Sequence, residues 1–345
     1  MTTTFDEADL MREYTPLLVL YPEIPPGTAR VQNTGYPHEA PLSFDYHPRD
    51  IKMVLEHSSL YLRFRLSRGR TSDWRTMLDR MEKVGYSKHL DLEPTLERND
   101  RAGFWEAYAA IPKDKQEYRH ACYARTVRGV GVLGDRILAQ YWYPYFYNDF
   151  WNTHEMDWEV VMIVFKLTDE GPKPTLCAYS AHLGGHWLKW ADVEKADEGG
   201  QRVPEGTHPV VYVANGSHAN YFYGSGLYLT APPLISMAAS MLRESRRLVD
   251  YTIAFEDGAR HLVEAQQVPP SQNGQWTGDW RWLNQKRGWG SPGEFFDLEF
   301  GDSGPKGPPQ GGQRWDYPFR WIDTCCTMAP PRGTSVVPTM LEPES

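Results

Sequence analysis

Two carboxylates and a histidine near the middle of the chain could bind a cation. Asp157 and Glu159 open an apolar run, 157–165, that alternates as a buried strand would. Residues i and i+2 share one face of a strand, so the two carboxylates would lie roughly 7 Å apart on the same side. Such a pair repels unless a proton or cation lies between them. Asp149 and His154 precede the strand in a turn-like segment, and oxygen ligands with one nitrogen are typical of a metal site.

Two later strands end in histidine. The strand predicted at 175–181 leads into His182 and His186, with glycines between them that allow close backbone approach to a ligand. The strand VVYVAN at 210–215 leads into His218. Antiparallel neighbours end at opposite edges of a sheet, so the sequence leaves open whether these histidines meet the carboxylates.

These segments give a candidate set of functional residues. We expect the metal ligands to be Asp149, His154, Asp157, Glu159 and His182. We expect catalytic proton transfer from His154, Glu159, His182 and His218. We expect the substrate pocket to be walled by Tyr143, Tyr145, Trp151, His186 and Trp187.

Other ring-bearing residues have competing interpretations. The C-terminal hundred residues are rich in tryptophan, which suits stacking on a sugar but also suits the core of an irregular region. His47 is interpreted as an isolated surface or core histidine, because no second ligand lies near it in the sequence.

Composition favours a loop-rich, mostly β protein. The chain has 345 residues, 41% hydrophobic and 13% aromatic, with 27 prolines and 29 glycines. Helices are predicted at 72–83, after a Ser72/Asp73 cap, and at 232–250.

Net charge and the absence of recognisable targeting segments limit the expected partners and location of the protein. The formal net charge of −9 argues against nucleic acid as a generic partner. The first residues lack a basic and apolar leader, and the apolar stretch 227–242 is broken by two prolines, so we expect a soluble, cytoplasmic, non-membrane-spanning protein. The four cysteines lack C-x-x-C spacing and are expected to be free thiols.

Several ordered motifs resemble those of the Vps62-type family of vacuolar sorting-associated proteins. They are W-Y-P-Y-F-Y-N-D (142–149), H-E-M-D-W-E (154–159), S-A-H-L-G-G (180–185), H-P-V-V-Y-V-A-N-G-S-H-A-N-Y (208–221), K-R-G-W-G-S-P-G (286–293) and S-G-P-K-G-P-P (303–309). The central motifs are more distantly similar to the necrosis- and ethylene-inducing-peptide-like proteins. In that second family the matched positions surround a divalent cation on a β-sandwich. The resemblance therefore implies Asp149, His154, Asp157 and Glu159 as ligands, followed by His182 and His218.

The resemblance implies one mostly β domain with a β-sandwich, jelly-roll-like core, peripheral helices and long loops. We expect this domain to span 1–330, with its core at about 136–326 and an N-terminal extension at 1–135. The tail at 331–345 is expected to be disordered.

Two functions and one structural alternative remain open from the sequence. The first is a divalent-metal-dependent enzyme that acts on a small molecule or a sugar or lipid headgroup, with Mg²⁺, Ca²⁺ or Mn²⁺, or else Zn²⁺. The second is a lectin-like or cytolysin-like protein that binds a glycan or glycolipid through its metal without turnover. In the third, the polar cluster is only a hydrogen-bonded edge of the sandwich. The reaction class and oligomeric state stay undetermined.

Overall fold

The computed structural model describes residues 5–24, 43–62, 65–67, 73–87, 89–93, 96, 100–150, 153–182, 184–229, 249–290, 305–329 and 332. The helix predicted at 232–250 falls outside these residues up to 248, and 249–250 belong to a strand. The tail predicted at 331–345 also lies outside them, apart from residue 332.

The chain is mostly β. Its described strands are β1 (Leu17–Leu20), β2 (Ser59–Leu62), β3 (Arg65–Ser67), β4 (His89–Asp91), β5 (Ala121–Arg128), β6 (Arg136–Asn148), β7 (His154–Thr168), β8 (Gly171–Ala181), β9 (Gly184–Lys189), β10 (Lys195–Ala196), β11 (His208–Val213), β12 (Asn220–Tyr221), β13 (Leu227–Leu229), β14 (Val249–Tyr251), β15 (Ala259–Leu262), β16 (Glu264–Gln267) and β17 (Cys326–Met328). Its described α-helices are α1 (Glu7–Glu13), α2 (Ile51–Glu56), α3 (Trp74–Lys83), α4 (Arg101–Ala109) and two C-terminal helices, Gln313–Asp316 and Pro318–Cys325.

A seven-stranded sheet forms the centre of the fold. Its strand order is β16-β5-β6-β7-β8-β9-β17, with an antiparallel meander from β5 to β9 and a parallel strand added at each edge. Strands β6 and β7 are buried along most of their length, which explains why their sequences are apolar on both faces. The long β6–β7 pair carries the acidic residues at one end of the sheet.

A five-stranded sheet covers one face of the larger sheet. Its order is β10-β11-β1-β15, and β12 pairs with β11. Alternate residues of β7, such as Val161 and Ile163, pack in one cluster with Leu18 of β1 and Val211 of β11. The N-terminal strand β1 therefore lies in the middle of this second sheet, between β11 and β15.

Helices and tryptophans cover the opposite face of the seven-stranded sheet. Residues from α2, α3 and α4 pack there against Trp142, Trp158 and Met162. The C-terminal tryptophans lie in or against this outer cluster, so they build core in a region of few regular elements; they are Trp276, Trp280, Trp282, Trp289, Trp315 and Trp321.

The local signals for α3 and for the cysteines hold in the structure. Asp73 caps α3, since its carboxylate accepts a hydrogen bond of 2.9 Å from the amide nitrogen of Thr76. The four cysteines, Cys122, Cys177, Cys325 and Cys326, are free thiols. Within the described ranges, the helices are too short or too polar to cross a lipid bilayer.

Candidate functional site

The two carboxylates at the start of β7 face the space between the sheets. Glu159 lies opposite Tyr143 and Asp157 lies opposite Tyr145 in the β6–β7 ladder. Val161 and Ile163, which follow on the same face of β7, belong to the core between the sheets. Asp157 and Glu159 therefore share one face, as their spacing predicts, and lie at the end of the inter-sheet core.

The topology brings the histidines to these carboxylates. Strand β7 begins where its antiparallel neighbour β8 ends, so His182, directly after β8, lies beside the start of β7. His218 arrives from the opposing sheet, in the loop between β11 and β12. We call Asp157, Glu159, His182 and His218 the acidic centre. The sequence left open whether these histidines meet the carboxylates. They do so because β8 is antiparallel to β7 and because His218 comes from the second sheet.

His218 forms a buried pair with Asp157. Its Nδ1 lies 3.2 Å from Oδ2 of Asp157, while Oδ1 of Asp157 accepts a bond of 2.8 Å from the amide nitrogen of Trp158. The imidazole is fully buried and stacks on the ring of Tyr145, with centroids 4.0 Å apart. Its Nε2 is also buried and has no hydrogen-bond partner in the described part of the chain.

Burial and pairing set the charge of this pair. Burial lowers the pKa of His218, and the hydrogen bond with Asp157 opposes that shift only in part. Burial works to raise the pKa of Asp157, but the hydrogen bond from His218 is the largest of the interactions that lower it overall. The favoured state is an ionised carboxylate holding a neutral imidazole.

Glu159 is the carboxylate that resists ionisation. Burial, and after it the negative charge of Asp157, raises the pKa of Glu159 to about 8. The hydroxyl of Ser180 hydrogen-bonds to Glu159 and accepts a bond of 2.7 Å from the amide nitrogen of Val160. With no cation beside it, Glu159 therefore holds a proton near neutral pH.

His182 pairs with a carboxylate that the sequence did not single out. Its Nε2 lies 2.7 Å from Oδ2 of Asp250, a fully buried residue of β14. Asp250 also accepts hydrogen bonds from Tyr221, at 2.6 Å, and from Ser217. Burial works to lower the pKa of His182, but Asp250 raises it above its usual value. Ser217 and Tyr221 lie inside the 208–221 motif, whereas Asp250 carries no local sequence signal.

Three non-glycine residues at this centre have left-handed backbone conformations. The φ angles are 58° at Met156, 54° at His182 and 59° at His218. Non-glycine residues adopt this region uncommonly, although His, Asn and Asp do so more often than others, and backbone strain concentrates at functional sites. The left-handed residues are therefore His182 and His218 themselves and Met156, which directly precedes Asp157.

Asp149 is held by an arginine. Both of its carboxylate oxygens bind the guanidinium of Arg101, with Oδ2 at 2.7 Å from Nη2. Oδ2 also accepts a bond of 2.6 Å from the amide nitrogen of Phe44. His154 lies close enough to interact electrostatically with Asp157 and His218, and its Nδ1 lies 2.6 Å from the carbonyl oxygen of Met156.

The aromatic residues predicted to wall the pocket have different places. Tyr143 lies fully buried in the inter-sheet core, and Tyr145 supports His218. His186 lies opposite Tyr179 and shares the face of the acidic centre, while Trp187 packs against the outer cluster on the other face. Trp151 lies outside the described residues.

The acidic centre has the donor types of a divalent-cation site but not a closed ligand cage. Two carboxylates and an imidazole are suitable ligands. Among the described residues, the group with three possible ligand atoms within 4.8 Å of one another is His47, His120 and His261, none of which belongs to the acidic centre. A cation at the acidic centre would therefore take further ligands from water or substrate.

Comparisons with known proteins give little beyond this geometry. No family model matches the chain, and no curated protein matches it. One solved structure, described as the non-toxic HaNLP3 protein, is similar over 31% of this chain and 47% of that protein, with 16% sequence identity and a TM-score of 0.24. The chain thus spans about half the length of that protein.

Proposed function

We propose that the protein is an enzyme that performs acid–base chemistry on a small polar molecule, such as a sugar or a lipid headgroup, with a divalent cation at Asp157 and Glu159. The observation that carries this proposal is His218. One ring nitrogen is oriented by a carboxylate, and the other is buried without a partner among the described residues. A histidine oriented in this way is typical of a general base.

The pair fixes which nitrogen of His218 accepts a proton. The ionised carboxylate of Asp157 can only accept, so Nδ1 carries the ring hydrogen and Nε2 keeps its lone pair. Because burial lowers the pKa of His218, the ring is neutral at physiological pH and available as a base.

His182 has the opposite character. Asp250 raises its pKa, so it retains a proton more readily than His218 does. The His182 side chain is 23% exposed, which gives it contact with solvent for proton exchange. Two histidines whose environments separate their pKa values suit the roles of acid, for His182, and base, for His218.

In this proposal the cation is bound by the carboxylates of Asp157 and Glu159. The pKa of Glu159 is raised in part because Asp157 lies close, and a cation between them would replace the proton. Mg²⁺, Ca²⁺ or Mn²⁺ suits oxygen ligands, and Zn²⁺ would suit a set that includes a histidine. When bound, such an ion polarises a carbonyl or phosphoryl group or activates water.

Metal analysis and turnover assays test the proposal together. Purified protein is analysed for bound metals and screened against sugars, phosphoesters and lipid headgroups, with and without chelator. Asp157→Asn and Glu159→Gln should lose metal-dependent turnover. Glu155→Gln is the matched control, because Glu155 is a buried carboxylate of the same strand whose Oε2 accepts from the amide nitrogen of Leu92 at 2.8 Å, a bond that glutamine can keep.

The other outcomes separate the alternatives. Metal-dependent ligand binding without turnover would favour a glycan- or glycolipid-binding protein. Metal content and ligand binding that do not change in Asp157→Asn would leave the acidic centre as a hydrogen-bonded end of the sandwich. From the sequence motifs we also infer membership of the Vps62-type family, which an alignment of homologues covering 136–326 would test.

A further inference from the structure

Three histidines from separate parts of the chain meet where the two sheets join. His47 lies before α2, His120 directly precedes β5, and His261 belongs to β15. The ring centroids of His47 and His120 are 5.3 Å apart, those of His47 and His261 are 5.0 Å apart, and those of His120 and His261 are 4.1 Å apart. We call these three residues the histidine cluster.

The ring nitrogens of this cluster have the spacing of metal ligands. Each residue offers one nitrogen, and the three atoms all lie within 4.8 Å of one another. Nδ1 of His47 lies 3.2 Å from Nε2 of His120. Two nitrogens bound to a tetrahedral Zn²⁺ at about 2.0–2.1 Å are about 3.3 Å apart, so this separation already matches a coordinated pair.

Hydrogen bonding orients the lone pairs toward the cluster. Nε2 of His47 lies 2.8 Å from the carbonyl oxygen of Tyr21, which can only accept, so this nitrogen carries the hydrogen and Nδ1 keeps its lone pair. A histidine that donates to a backbone carbonyl through its second nitrogen is the usual arrangement of a metal ligand. Nε2 of His261 is buried and meets no hydrogen-bond partner among the residues that the structure describes.

Burial, more than the surrounding charges, keeps the three rings neutral, and it is also the first cause of the lowered pKa of His47. Burial, Arg49 and the neighbouring imidazoles lower the pKa of His120 to about 3. Burial and His47 lower that of His261 to about 4. Glu23 compensates Arg49, because its Oε2 lies 2.6 Å from Nη2 of Arg49 and its Oε1 accepts a bond of 3.1 Å from the amide nitrogen of His47. A cation entering the cluster therefore meets three unprotonated imidazoles and an arginine already paired with a carboxylate.

We propose that His47, His120 and His261 bind one borderline divalent cation of the Zn²⁺ class, with water in the fourth position. Imidazole ligands suit Zn²⁺, Co²⁺, Ni²⁺ and Cu²⁺ rather than Mg²⁺ or Ca²⁺, which prefer oxygen. His120 and His261 are only partly buried, which leaves a path for the ion and its water. The site shares no residue with the acidic centre and does not depend on the function proposed for that centre, although His218 lies close enough to act electrostatically on His47.

Cobalt binding to the full chain tests this site. Protein stripped with chelator is titrated with Co²⁺, whose tetrahedral complexes absorb strongly in visible light and whose octahedral oxygen complexes absorb weakly. We expect one equivalent to give the tetrahedral spectrum and Zn²⁺ to displace it. X-ray absorption of the Zn²⁺ form should show imidazole nitrogens at about 2.0–2.1 Å. A shell made of oxygen alone, or no saturable binding, would overturn the proposal.

Variants locate the ion. His120→Asn and His261→Asn should each weaken Co²⁺ binding by at least about tenfold. Asp157→Asn and His186→Asn, which alter the acidic centre and a partly buried histidine outside the cluster, should leave the tetrahedral spectrum unchanged. Unchanged binding in both His120→Asn and His261→Asn would also overturn the proposal. If either variant fails to fold, the absorption measurement on the Asp157→Asn protein decides, because that protein keeps the histidine cluster and lacks one carboxylate of the acidic centre.

Discussion

The amide nitrogen of Asp149 donates a hydrogen bond of 2.9 Å to the carbonyl oxygen of Gly216. This bond holds the turn after β6 against the loop that carries His218, so the two sheets are joined by backbone beside the acidic centre. Gly216 has a φ of +76°, and a Cβ there would lie 2.5 Å from Cβ of Ser43 and overlap the carbonyl oxygen of Asp149.

Gly216→Ala should therefore destabilise the protein through both strain and overlap. Gly274→Ala is the matched control, since Gly274 has a φ of +74° and nothing within 4 Å of its Cβ position. The control should cost about 1–2 kcal/mol for its left-handed backbone alone. Gly216→Ala should cost about 1–3 kcal/mol more, because the packing must also shift. Urea unfolding measures both, and equal losses would contradict the close contact.

Arg101→Ala should be strongly destabilising, because it leaves the buried carboxylate of Asp149 without its positively charged partner. The Asp149 side chain is fully buried and that of Arg101 is 24% exposed. Breaking such a pair costs about 3–5 kcal/mol. Arg12→Ala is the control, since the pair of Arg12 with Asp9 is mostly exposed and its loss should cost less than about 1 kcal/mol. Similar melting temperatures for the two variants would count against the pairing.

Glu159 should make the folded protein less stable as the pH rises. Its pKa is raised to about 8 in the fold, above the usual value of about 4.5 in an unfolded chain, so the folded state binds more protons than the unfolded state between these values. Its stabilising contribution is complete below about pH 4.5 and is lost as the pH rises toward 8. In the presence of chelator, Glu159→Gln should remove this dependence of the unfolding free energy on pH. Between about pH 4.5 and 8, the unfolding free energy of wild type should fall relative to that of the variant by on the order of a few kcal/mol. Unfolding free energies at pH 5 to 9 measure the difference, and parallel curves would contradict it.

His218 and Asp157 should show a coupling free energy. His218→Gln and Asp157→Asn each leave a buried polar partner unsatisfied, so the double variant should lose about 0.5–3 kcal/mol less than the sum of the single losses. As a control, His218→Gln is combined with Arg281→Ala, because Arg281 binds Asp79 and Glu82 of α3 on the outer side of the large sheet. That pair should be additive within about 0.5 kcal/mol. Additive losses for Asp157 and His218 would show that the two side chains do not interact.

The local pattern of β7 was enough to predict one face of the acidic centre. Alternation along 157–165 placed Asp157 and Glu159 on the same side, and the ladder with β6 confirms it. The mostly β class also follows from composition, and it is confirmed. These features depend on residues that are close in the sequence, and a periodic pattern can predict such features.

Partners that are distant in the chain were not predictable in the same way. Asp149 has the composition of a ligand, but the arginine that binds it lies 48 positions away. Asp250 reaches His182 from strand β14, which begins at the last two positions of the segment predicted as a helix. His47 looked isolated because its partner His120 is 73 positions away. Each of these contacts is set by how distant elements of the chain pack together, which one sequence does not reveal.

Strands β15 and β16 follow each other in the chain with only Val263 between them. The first pairs with β1 in the five-stranded sheet, and the second pairs with β5 in the seven-stranded sheet. One sheet therefore cannot separate from the other while both ladders persist. We expect the sheets to melt in a single cooperative transition, with hydrogen exchange of the β1 and β5 amides sharing one global opening energy.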